Sequence, residues 1–99
     1  MAFDLSPEVI VEVKALLSKY FGADSKIWVF GSRATGKARR SSDLDLAVDM
    51  TGQKISFNTM ADLRYDLEMS DLPIKVDVVD VNDCSAEFLK IIERDCREF

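Results

Sequence analysis

Apolar residues at Val9, Ile10, Val13, Leu16, Leu17 and Tyr20 recur at the spacing that lines one face of a helix. Ser6 is placed to cap that helix, Pro7 occupies its first position, Glu8 meets the positive end of its dipole, and Gly22 stops it. The pattern then changes. Lys26 to Phe30 is a short, nearly continuous apolar run, which predicts a buried strand, and Gly31-Ser32 follows at its end. Gly31 to about Lys37 predicts a short helix whose free N–H groups point back toward that turn. From Asp43 to Asp49 polar and apolar residues alternate, so a second strand carries Leu44, Leu46 and Val48 on one face and Asp43 and Asp45 on the other. Met50 to Lys54, with Gly52, reads as a loop.

A second amphipathic helix begins at Ser56 or Asn58, with Met60, Leu63, Leu67 and Tyr65 on its apolar side, and ends near Ser70 because Pro73 breaks the pattern. Ile74 to Val81, IKVDVVDV, is dense in β-branched residues and predicts a third strand. Ser85 caps a last helix with Phe88, Leu89, Ile91, Ile92 and Cys96 on its buried side. Helices interleaved with strands make an α/β (α+β) layout: one domain over residues 1–99, with a small mixed β-sheet backed by helices. Phe3, Leu5, Phe57 and Phe99 fit either the core or a partner surface.

Composition narrows the chemistry. Ninety-nine residues suffice for a modest core but not for a separate substrate-binding lobe. No apolar run has the length of a membrane span and the N-terminus lacks a signal peptide's pattern, so a cytoplasmic protein is expected. There is no histidine, which excludes Ser-His-Asp and Cys-His catalysis, and Cys84 and Cys96 do not make a disulfide framework or a zinc site. The formal charge of −5 argues against direct nucleic-acid binding across the surface. Much of the positive charge nonetheless collects in one loop, at Arg33, Lys37, Arg39 and Arg40, just ahead of the paired aspartates.

Asp43 and Asp45 on one strand face repel each other unless a cation lies between them, and hard oxygen ligands suit Mg²⁺ or Mn²⁺ bound together with nucleotide phosphates. Gly31 allows a ligand close to the backbone, Ser32 adds a hydroxyl and an N–H, and the basic side chains match phosphate oxygens. Of Asp77 and Asp80 in the third strand, only one can share the face of Asp43 and Asp45, because an odd number of positions separates them.

Gly31-Ser32-Arg33 followed by Asp43-Leu44-Asp45 resembles the signature of the DNA polymerase β-like nucleotidyltransferases, and the size of the chain resembles their smallest branch, the minimal nucleotidyltransferases that act as antitoxins beside HEPN-domain toxins. The resemblance implies a nucleotidyltransferase palm fold and selects Asp77, in Val-Asp-Val-Val, as the third acid. It implies two Mg²⁺ ions bridged by Asp43 and Asp45, with Asp77 on the ion nearest the acceptor, and ATP held at Gly31, Ser32 and Arg33. Lys37, Arg39 and Arg40 are further phosphate or partner contacts. Thr35 stands where many relatives carry a second arginine. The reaction so implied is AMP transfer from ATP to a hydroxyl, a tyrosine of a HEPN-domain RNase toxin, which silences the toxin. A module that only masks the toxin by binding is the alternative from another class. Transfer to a small molecule such as an aminoglycoside is the other enzymatic one. Asp80 is left as a turn-forming or solvated acid.

Overall fold

The structure is a computed structural model and describes residues 2–99. In chain order it comprises α1 (Pro7–Ser18), β1 (Lys26–Phe30), α2 (Ser32–Thr35), β2 (Leu44–Asp49), α3 (Phe57–Glu68), β3 (Val76–Asp80), α4 (Ala86–Asp95) and β4 (Arg97–Glu98), with 3-10 turns at Ala2–Asp4 and Val81–Asp83. The expected caps Ser6 and Ser85 are made, and Ser56, one of the two expected starts of α3, caps that helix. The Ser6 hydroxyl accepts from the Val9 N–H at 3.4 Å, Ser56 from Thr59 at 3.1 Å and Ser85 from Phe88 at 3.1 Å. Such a cap is worth about 1 kcal/mol, because it satisfies an amide that the helix cannot.

The sheet has the order β3-β2-β1-β4. β1 runs antiparallel to both β2 and β4, whereas β2 and β3 are parallel and α3 makes the crossover between them. Strand alternation then separates two faces. Val29, Leu44, Leu46, Val48 and Val78 join Val13 and Leu17 of α1 and Met60, Leu63 and Leu67 of α3 in the main core. Full burial of such a side chain contributes roughly 1.5–3 kcal/mol. The opposite face carries Phe30 and Ala47, covered by Ile92 of α4.

Four expectations need correcting. Tyr65 is exposed, because Met60, Leu63 and Leu67 already fill the side of α3 that meets the sheet. In α4 only Ile92 is buried; Phe88 is 37% and Ile91 50% exposed, since this helix covers only part of a face whose other end carries aspartates. Asp80 is turn-forming but buried rather than solvated. Its carboxylate accepts from the Asn82 N–H at 2.9 Å and from the Ile55 N–H at 2.6 Å, tying the end of β3 to the segment before α3. β4 was not foreseen, because two charged, exposed residues carry no strand pattern; its pairing with Trp28 and Val29 is a long-range contact.

Of the four residues left open between core and surface, Leu5 is buried and Phe57 is 85% exposed. Phe3 and Phe99 pack on each other with ring centroids 6.0 Å apart, bringing the two ends of the described chain together.

Candidate active site

β1 and β2 pair so that Phe30 lies opposite Asp45, which brings the next residue, Gly31, against the aspartate side chain. Gly31 has φ +76, and a Cβ built there would stand 2.5 Å from Asp45 Oδ2. Only glycine meets both demands. The backbone then makes the single turn α2. The Ala34 and Thr35 amides donate to the Gly31 carbonyl at 3.1 and 3.2 Å, and Gly36, at φ +77, ends the turn. Ser32 is its first residue, and the first amides of such a turn have no partner within it. The Thr35 hydroxyl folds back onto the Gly31 and Ser32 carbonyls.

Asp45 is the register partner of Asp77 across the parallel β2–β3 pair. Asp43, one residue before β2, is exposed and shares their side of the sheet by alternation. Partial burial holds the Asp45 carboxyl above its usual range, the charges of Asp77 and Asp43 add to this, and Lys75 opposes it. Lys75 Nζ lies 3.7 Å from Asp77 Oδ1, an exposed pair of small energetic worth. Sequence reasoning missed Lys75, although its even separation from Asp77 places it on the same strand face.

Among the described residues no three carboxylates are gathered into a finished metal cage. The donor set nonetheless fits divalent cations. Its oxygens are hard, and Mg²⁺ commonly takes only one or two protein carboxylates and completes its shell with phosphate oxygens and water.

Arg33, expected beside the phosphates, is instead engaged within the protein. Its side chain is only 2% exposed, and its nitrogens donate to the carbonyls of Phe3, Asp4, Arg39, Arg40 and Ser42, so no N–H remains for a ligand. It binds the turn after Gly31 to the loop before Asp43. A lone Arg beside a Gly-Ser turn carries no sign of this, because the acceptors are backbone atoms distant in sequence. Lys37, Arg39 and Arg40 are exposed along that loop, and none of the ion pairs among the described residues involves them.

A mixed sheet with α1 and α3 on one face, and with a glycine-serine turn and in-register aspartates on the other, defines the class as a nucleotidyltransferase-type α/β domain. Comparison with known proteins agrees. Residues 12–97 match the family described as Polymerase beta, Nucleotidyltransferase. The chain is 36% identical over 91 residues to "Probable protein adenylyltransferase MntA" of Haemophilus influenzae (strain ATCC 51907 / DSM 11121 / KW20 / Rd), covering 92% of this chain and 78% of that protein. A crystal structure of a toxin-antitoxin with AMP-PNP superposes with a TM-score of 0.74 at 26% identity, over 95% of this chain and 72% of that one. A structure of a tri-AMPylated Shewanella oneidensis HEPN toxin in complex with MNT antitoxin shares the fold, with a TM-score of 0.69 at 21% identity, over 92% of this chain and 68% of that one. The chain belongs to the polymerase β nucleotidyltransferase family, and it is a nucleotidyltransferase.

Proposed function

We propose that the chain transfers AMP from ATP to a tyrosine hydroxyl of a HEPN-domain toxin and thereby acts as its antitoxin in the cytoplasm. The observation that carries this reading is the packing of Asp45 against Gly31 with Asp77 in register beside it. It joins a place for phosphates to a place for acids in a chain 36% identical to a protein adenylyltransferase. The resemblance to a toxin-antitoxin pair holding AMP-PNP supports both ATP and the partner.

The Ser32 hydroxyl and the first amides of α2 receive the β- and γ-phosphates. Lys37, Arg39 and Arg40 add charge around them, and Arg33 holds their loop in place. Asp43, Asp45 and Asp77 hold the divalent cations, Mg²⁺ or Mn²⁺. When bound, these lower the charge on the triphosphate and on the departing pyrophosphate. Asp77, half-buried on the edge strand β3, takes the acceptor's proton. The acceptor oxygen bonds to the α-phosphorus, the bond from that phosphorus to the bridging oxygen of the β-phosphate breaks, and pyrophosphate leaves with the electron pair.

The test is intact-mass spectrometry of a HEPN-domain protein from the same genome after incubation with this chain, ATP and Mg²⁺. The expected result is a gain of one or more AMP masses, lost with EDTA and with the Asp43→Asn/Asp45→Asn variant. Full transfer by that variant would sink the mechanism. A stable complex without mass gain would replace it with steric masking.

A further inference from the structure

A cleft of about 810 Å³ opens beside the aspartates. Its walls include Asp45, Asp77, Lys75, Phe30, Val79 and Phe88, while Gly31 and Ser32 do not line it. Phe88, in the first turn of α4, stands edge-on to Phe30 with centroids 5.8 Å apart, yet it remains 37% exposed. An aromatic ring set on another ring and left open toward two carboxylates is poorly explained by core packing, since Ile92 already seals the sheet beneath α4. The free edge of β3 is also in this cleft, but the Arg64 guanidinium donates to the Val78 carbonyl at 3.4 Å. That contact covers one of the outward carbonyls an added strand would use.

The geometry points to an acceptor subsite for an aromatic hydroxyl, with Phe88 as its positioning residue. We propose that the phenol ring of a tyrosine on another protein packs against Phe88 and Phe30 with its oxygen toward Asp77 and Asp45. This rests on the reading that the chain adenylylates a hydroxyl. The phosphates, at Gly31 and Ser32, and the acceptor, at Phe88 and Phe30, are then received by different residues around the same aspartates. Aromatic pairing supplies orientation as well as area, because rings prefer edge-on or offset contacts.

The experiment varies acceptor and ATP concentrations separately for the wild type, Phe88→Ala, Phe88→Tyr and Ile91→Ala, each checked for an unchanged melting curve. Phe88→Ala is expected to raise the acceptor KM roughly three- to tenfold, the factor that an aromatic pair is worth, while the ATP KM stays put. Phe88→Tyr should restore the wild-type value. Ile91→Ala, exposed on the same helix but outside the cleft, should leave both constants alone. An unchanged acceptor KM in Phe88→Ala, or a rise confined to the ATP KM, overturns the proposal.

Should the wild type transfer no AMP to any HEPN-domain protein, the reading of function fails and the subsite is judged on its own. N-acetyl-tyrosinamide at millimolar concentration should then shift the Phe88 and Phe30 ring resonances, and N-acetyl-serinamide should not. Equal shifts from both probes, or none from either, overturn it.

Discussion

Gly31 and Arg33 sit two positions apart and act in different ways. Gly31 has a left-handed φ and the Asp45 carboxylate where a Cβ would stand. Gly31→Ala should therefore lower stability by about 1–2 kcal/mol through backbone strain alone, seen as a lower urea midpoint. Because Asp45 must also move, transfer activity should fall much further than stability. Arg33 is a charge satisfied only by backbone carbonyls. Arg33→Met should cost at least about 3 kcal/mol, because several buried carbonyls lose their donor together. Arg40→Ala should leave the urea midpoint in place and change only transfer, since the Arg40 side chain is exposed. Equal destabilisation by the two would contradict the scaffold role of Arg33.

At the scale of elements, the fold is held by side chains that join pieces distant in sequence. The Tyr20 hydroxyl, just past α1, donates to the Asp66 carboxylate on α3. That bond, with burial and the charge of Asp66 adding to it, pushes the phenol up to about 12 from an ordinary 10.0. A raised folded value means that the stabilisation is whole below the unfolded pKa and is lost as pH rises through the folded one. The window is therefore about 10 to 12. Tyr20→Phe should be less stable than the wild type near neutral pH, and the difference should close across that window in urea titrations. Asp80 does comparable work between β3 and α3, and it shows how an acid read from sequence as a strand-end residue becomes a buried acceptor. The last helix departs in the opposite direction, with apolar residues expected inside left at the surface.

The whole molecule is acidic, with its exposed positive loop set next to the acids that repel one another. If a cation and a polyphosphate bind there, as proposed, they relieve that repulsion together. Mg²⁺ with ATP at about 100 times Kd should stabilise the fold by about 2.7 kcal/mol, a rise on the order of 10–20 °C in Tm. EDTA should remove the rise, and Asp43→Asn/Asp45→Asn should not show it. Among the described residues no helix is long and apolar enough to cross a membrane. Val11, Phe57, Tyr65 and Met69 remain exposed, on α1, α3 and the C-cap of α3.

Local pattern determined a large part of this protein. The serine caps, the helix and strand order, the division of Leu44, Leu46 and Val48 from Asp43 and Asp45, and the opposite faces of Asp77 and Asp80 all follow from spacing along the chain. Periodicity and capping act over a few residues, so they are legible there. Only the tertiary structure decided that Asp45 rests on Gly31, that Asp77 stands in register beside it, that Arg33 turns inward and that β4 joins the sheet. Each of these depends on strand register or on backbone acceptors brought from distant segments, and no local pattern encodes which carbonyl a guanidinium will reach or which residue will face an aspartate across a ladder.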